Sequence, residues 1–274
     1  MIGNESPFWP ENWQDPSLTR TAKPRTTGLT MVIDKGLGLH ACEDLLQVAA
    51  PYIDVYKLGF GTTVLYPLSY LQQKIDLALS YGVTVMPGGT FFEVARMQAP
   101  TESYLARIKA LGFNGIEISD GSLPISKEAR LRAISLAADA GLKVFSEYGK
   151  KSACFTADLE LLLQTLREDS EAGADYTIVE ARESGNVGVY NQKGEVDTDF
   201  LQQVAVHAGE QANRLIWEAP QKEQQIVLMK TLGFQVNLGN IAPADVLACE
   251  SLRRGLRGDT CVSILLERRK ALCE

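Results

Sequence analysis

The chain has 274 residues, 45% of them hydrophobic, and a formal net charge of −7. That is enough for one large core, and it disfavours a nucleic-acid partner, which needs a basic face to neutralise phosphates, while leaving room for a small anionic substrate held by a few local cations. No apolar stretch approaches the roughly 18 residues of a membrane span, and the N-terminus lacks the apolar centre of a signal peptide. The five cysteines (Cys42, Cys154, Cys249, Cys261 and Cys273) show no paired spacing. A cytoplasmic protein with reduced thiols and no membrane contact is expected.

Residues 1–27 hold Pro7, Pro10, Pro16 and Pro24, a density that opposes both helix and central strand. They read as an irregular surface arm, anchored by burial of Trp9 and Trp13, ahead of a domain over 28–274. From Gly28 onward strands and helices alternate. Strands are predicted near 29–34, 52–58, 83–87, 114–119, 142–147, 176–180, 213–218 and 234–238. Helical spacing of apolar residues fills the gaps, as in 68–78 and 129–137, with Ser126 placed to cap the second of these. Gly82, Gly112, Gly141, Gly173 and Gly233 each fall between a helix and the next strand, where a left-handed residue ends the helix. Eight such units predict a parallel (β/α)8 TIM barrel. An open doubly wound sheet is the rival, but Gly36-Leu37-Gly38 does not complete a dinucleotide fingerprint.

Four strands end in a glutamate: Glu117, Glu147, Glu180 and Glu218. A carboxylate at the end of a buried strand is costly unless paired or bound to a cation, so these acids mark a site at the C-terminal rim of a barrel. Alternation turns Glu117 and Ser119 inward while Ile116 and Ile118 face the helices. In the same way it sets Lys57 against Tyr56 and Leu58, and Asn237 against Val236 and Leu238. Lys35, Lys57, Lys151 and Arg182 form a local cationic set suited to phosphate, carboxylate or sulfonate groups. Ser184 and Gly185 after Arg182, and Gly88-Gly89-Thr90 ahead of a helix, add anion-binding loops. The two histidines, His40 and His207, lie off the strand ends, so acid–base work falls to lysine or carboxylate, and clustered glutamates suit Mg²⁺.

These strand ends resemble the phosphosulfolactate synthase family, which also includes plant heat-stress-associated proteins. The blocks that carry the resemblance run from about Gly28 to Thr260. They include Ile33-Asp34-Lys35-Gly36, Lys57-Leu58-Gly59, Pro87-Gly88-Gly89-Thr90 and Glu117-Ile118-Ser119-Asp120-Gly121-Ser122. Further along come Gly149-Lys150-Lys151, Glu180-Ala181-Arg182-Glu183-Ser184-Gly185, Glu218-Ala219-Pro220-Gln221-Lys222 and Asn237-Leu238-Gly239-Asn240.

The resemblance implies a (β/α)8 barrel and a carbon–sulfur lyase that adds sulfite to phosphoenolpyruvate with Mg²⁺, the first step of one coenzyme M pathway. It implies Lys151 as general acid, with Glu117 and Lys35 as further catalytic groups. Lys57, Gly88, Gly89, Ser119, Arg182, Ser184 and Asn237 would bind substrate. Glu147, Glu180 and Glu218 would hold the metal, with Glu117 and Asp120 as alternates. A homo-oligomer is the expected assembly. Two other readings stay open: a Schiff-base aldolase using Lys151 or Lys57, and a stress-associated barrel without catalysis, in which Trp9 and Trp13 matter more than Lys151.

Overall fold

The computed structural model of the chain describes residues 8–152 and 155–271. In chain order its regular elements are α1 (Glu11–Gln14), β1 (Thr30–Asp34), α2 (Leu39–Ala49), β2 (Val55–Leu58), α3 (Leu68–Ser80), β3 (Thr84–Pro87), α4 (Gly89–Arg96), α5 (Thr101–Ala110) and β4 (Gly115–Ile118). They continue with α6 (Lys127–Asp139), β5 (Lys143–Tyr148), α7 (Leu159–Ala172), β6 (Tyr176–Val179), α8 (Thr198–Ala208), β7 (Leu215–Glu218), α9 (Lys222–Leu232), β8 (Asn237–Ile241), α10 (Val246–Arg254) and α11 (Cys261–Ala271).

The strands are parallel and ordered β3-β2-β1-β8-β7-β6-β5-β4, a nearly closed (β/α)8 barrel. At the seam, Asn114 just ahead of β4 accepts a hydrogen bond from Val85 N of β3 (2.8 Å). The same device recurs around the floor. Asp54 accepts from Thr30 N (2.9 Å) and Asp175 accepts from Val144 N (2.8 Å), so a side chain before β2, β4 and β6 satisfies the entry N–H of the preceding strand. A buried N–H without a partner would be costly there.

Side-chain alternation divides the interior. One cluster inside the barrel (Leu29, Met31, Val55, Met86, Phe145, Tyr176, Ile178 and Ile216) is separate from the larger core between strands and helices. Two residues beyond Val55, Phe145, Ile178 and Ile216 stand Lys57, Glu147, Glu180 and Glu218, and Glu117 of β4 joins them, all buried. The barrel therefore has an apolar floor and a charged upper layer, because a step of two residues keeps the same face. Ser126 caps α6 by accepting from Ala129 N (3.2 Å), and Gly173 closes α7 at φ 112°, both as the sequence predicts.

Three expectations change. β8 starts at Asn237, not at residue 234, because Arg253 takes up the carbonyls of Phe234 (2.9 Å) and Val236 (2.6 Å) and holds that segment outside the sheet. β2 starts at Val55, since Pro51 lies in a 3₁₀ turn over Ala50–Tyr52. The arm is not held by its tryptophans: Trp9 is 57% and Trp13 61% exposed, and α1 interrupts its irregular course. Cations hold it under the barrel. Arg20 pairs with Glu250 (2.9 Å), Lys23 donates to Ile53 O (2.6 Å), and Arg25 pairs with Asp54 (3.1 Å). Cys42, Cys249 and Cys261 are free thiols, while Cys154 and Cys273 lie outside the described residues.

Candidate active site

The charged layer opens at the C-terminal ends of the strands into a cavity of about 210 Å³, lined by Lys57, Glu117, Glu147, Lys151, Glu180 and Glu218 below and by Phe60, Thr90, Arg182 and Asn240 above. Lys57 reaches across the barrel from β2. Its Nζ lies 2.8 Å from Glu117 Oε2 and 3.5 Å from Glu218 Oε1. Lys151, in the loop after β5, lies 3.1 Å from Glu147 Oε1 and 3.2 Å from Glu180 Oε2. Its backbone N–H donates to Gly121 O (2.9 Å), tying this loop to the one after β4. Glu218 Oε2 accepts from Ala181 N (3.0 Å), and Glu180 accepts from Arg182 N.

The electrostatics follow from this packing. Burial alone pulls the Lys57 and Lys151 ammonium groups down, but the surrounding carboxylates outweigh it and hold both above their ordinary value. Burial likewise raises Glu117 and Glu180, and the adjacent lysines reverse the sign, so both end below the usual carboxylate range. Glu147 is pushed well up by burial and by Glu180, and Glu218 is pushed up to about 8 by the same two causes. Four carboxylates against two ammonium groups leave an excess of two negative charges when all are ionised.

Oxygens of Glu147, Glu180 and Glu218 all lie within 4.8 Å of one another. Three hard oxygen donors with that excess charge fit a small divalent cation such as Mg²⁺. These are the three residues the sequence points to as metal ligands.

The other predicted site residues divide. Gly88 and Gly89 open α4 beside the cavity, and both are packed too closely for a side chain. A Cβ on Gly88 would meet Phe60 N at 2.7 Å, and one on Gly89 would meet Ser119 Oγ at 2.4 Å. Ser119 is turned to its neighbour and donates to Glu93 Oε1 (2.6 Å), so its hydroxyl supports the wall of the site. Arg182 stands at the mouth, exposed. Lys35 is outside the buried layer, half exposed and paired with Glu183 on the rim. Ser184 is exposed, bonded to Asn186, and does not line the cavity. Asp120 pairs with Lys150 (2.6 Å).

Asn237 is misplaced by the sequence reading. It lies on the floor, accepting from Leu29 N (3.0 Å) and donating to Asn213 O (2.8 Å) and Leu215 O (3.0 Å), because β8 begins three residues later than the apolar pattern suggests. The residue of β8 at the mouth is Asn240.

Two supporting residues escape a reading of strand ends. Glu93 on α4 is fully buried and accepts from Ser119 and from Ser122 N (2.9 Å), which fixes the loop after β4. Lys74 on α3 is buried against Asp34 and donates to Leu37 O (2.7 Å), while Tyr56 donates to Asp34 (2.8 Å). Together they pin the loop that carries Lys35. A charge on the apolar face of a helix was the available signal in both cases.

A barrel whose strand ends gather buried acids, threaded by two lysines and open at the mouth, is the architecture of a TIM-barrel enzyme acting on small molecules. The fold is shared with 3-hexulose-6-phosphate synthase, at a TM-score of 0.52 and 16% identity over 82% of this chain and 97% of that one. The sequence model of the (2R)-phospho-3-sulfolactate synthase (ComA) family matches residues 18–259, and the chain belongs to that family. It is 41% identical to the phosphosulfolactate synthase of Methanothermobacter thermautotrophicus over 88% of this chain and 94% of the relative. Against the phosphosulfolactate synthase of Bacillus subtilis it is 37% identical over 88% and 95%.

Proposed function

We propose that the chain is a phosphosulfolactate synthase, which joins sulfite to phosphoenolpyruvate to give (2R)-2-phospho-3-sulfolactate with Mg²⁺ held by Glu147, Glu180 and Glu218. The observation that carries this reading is the meeting of those three carboxylates with Lys57 and Lys151 in one buried layer. The bound ion supplies positive charge where the substrate carboxylate gains electron density.

The chain's own residues account for the rest. Lys35 and Arg182 draw two mutually repelling anions to the mouth, and the free N–H groups at the start of α4 receive an anionic oxygen. A new C–S bond forms between the sulfite sulfur and the methylene carbon of phosphoenolpyruvate, the double-bond pair moves toward the carboxylate, and the middle carbon then takes a proton. Lys151 is the donor. It lies within ion-pair distance of Glu147 and Glu180, and its side chain is 24% exposed, so solvent reloads it after transfer. A Schiff base needs a free amine. Both lysines at this site are ion-paired to buried carboxylates, which favours the synthase reading over the aldolase.

The test is to mix purified protein with phosphoenolpyruvate, sulfite and Mg²⁺ and follow the reaction by phosphorus NMR. A new phosphate-ester signal that requires sulfite is expected; unchanged phosphoenolpyruvate under these conditions would refute the reading.

A further inference from the structure

Asn240 is set into the mouth by a distortion of β8. Leu238 pairs with Thr30 and Ile241 with Val32, so three steps on β8 oppose two on β1, which is a bulge. Leu238 and Ile241 both face the helix side of the sheet. Gly239 faces the interior, where a Cβ would meet Met31 Cε at 2.6 Å. The extra residue is therefore Asn240. Without the bulge, alternation would send it outward to the helices; with it, Asn240 lines the mouth cavity. Its backbone has φ 55°, a left-handed conformation that asparagine tolerates better than most residues. Phe60 (φ 58°) and Arg182 (φ 61°), at the same mouth, are also left-handed. Non-glycine residues held in this way concentrate where a site needs a side chain aimed against the local strand geometry.

The residue is 5% exposed, and its Oδ1 has no hydrogen-bond partner. Among the described residues that line the cavity, it is the one buried polar atom with neither a hydrogen bond nor an ion pair. A buried amide end left in that state is costly. The carboxamide can also turn end for end, so the same position can offer two N–H donors.

We infer that Asn240 is a substrate-binding residue whose carboxamide N–H groups hold the phosphate of phosphoenolpyruvate. This rests on the function proposed above. The position suits the role for two reasons. The loops after the last two strands of a TIM barrel often form its phosphate site, and Asn240 follows Gly239, the partner of Glu218 in the β7–β8 ladder. A neutral donor also adds no positive charge to compete with the metal for the nearby glutamates.

A structural asparagine, kept only for its left-handed backbone, makes the opposite prediction, and two substitutions separate the cases. Asn240→Gly retains the backbone conformation and removes the amide. Asn240→Asp retains size and left-handed tolerance and places an anion against the phosphate. Binding of phosphoenolpyruvate with Mg²⁺ is read by calorimetry, the KM values for phosphoenolpyruvate and sulfite by kinetics, and folding by thermal unfolding. Loss of one hydrogen bond to a charged group predicts a roughly ten- to hundredfold rise in Kd and KM for phosphoenolpyruvate in Asn240→Gly. A larger rise is expected in Asn240→Asp, with the sulfite KM little changed in both.

Wild-type phosphoenolpyruvate binding in both variants, or in Asn240→Asp alone if Asn240→Gly does not fold, overturns the inference. So does an effect confined to sulfite. Wild-type protein that binds phosphoenolpyruvate without sulfite-dependent turnover overturns the proposed function and leaves the binding comparison intact. Wild-type protein that binds no phosphoenolpyruvate overturns both.

Discussion

Lys57 on β2 and Glu117 on β4 meet at 2.8 Å inside the barrel, one strand on each side of the seam between β3 and β4. Both side chains are almost wholly buried, so each relies on its ion partners to stay ionised. Lys57→Met should strand Glu117 as an unpaired buried carboxylate and cost about 3–5 kcal/mol, whereas Lys57→Met with Glu117→Gln should recover much of the loss. Denaturant unfolding of the two variants checks this. Equal destabilisation by both would show that the pair is not the unit of stability.

Glu218 links metal binding to pH. Its folded-state value of about 8 stands above the ordinary 4.5, so between those limits the folded protein holds a proton that the unfolded chain has released. The resulting stabilisation is complete below about pH 4.5 and is lost as pH rises through about 8. Chelated protein should therefore show a Tm that falls from about pH 6 to about pH 9. Added Mg²⁺, which requires the ionised carboxylate, should raise Tm by more at the upper end. Thermal scans with and without EDTA measure this, and a Mg²⁺ effect independent of pH would count against Glu218 as a ligand.

Glu180→Gln removes one of the three clustered carboxylates and one of the two negative partners of Lys151. Titration calorimetry with Mg²⁺ or Mn²⁺ should show binding weakened at least tenfold, in the range seen when metal-site supports are removed. Glu93→Gln, away from the ion, should leave metal affinity nearly unchanged.

Lys151→Ala should lower sulfite-dependent turnover by about 10²–10⁴ if general acid catalysis is its role. Steady-state rates at saturating phosphoenolpyruvate decide the matter. Unchanged kcat removes Lys151 from the chemistry.

Gly88→Ala tests the entrance. The added Cβ would fall 2.7 Å from Phe60 N and 2.8 Å from Phe60 O, backbone atoms that cannot swing away. A loss of about 1–3 kcal/mol is expected, comparable with overpacking elsewhere. Full stability in the variant would mean that the loop after β2 is softer than its packing suggests.

Much of this protein was legible in its sequence, for a local reason. Strand and helix periods, the glycines that end helices and the glutamates that end strands are short-range patterns, and in a (β/α)8 barrel every strand delivers its C-terminal residues to one rim. Glu117, Glu147, Glu180, Glu218, Lys57 and Lys151 could therefore be grouped before any distance was known. What only the tertiary structure decided is which polar groups are already occupied and which way a distorted strand points. Ser119 is engaged by Glu93 and Lys35 by Glu183, partners from distant segments. Asn237 lies on the floor and Asn240 at the mouth because Arg253 delays the start of β8 and a bulge against β1 shifts its end. Strand register depends on contacts made across the sheet, and no spacing along a single strand contains them.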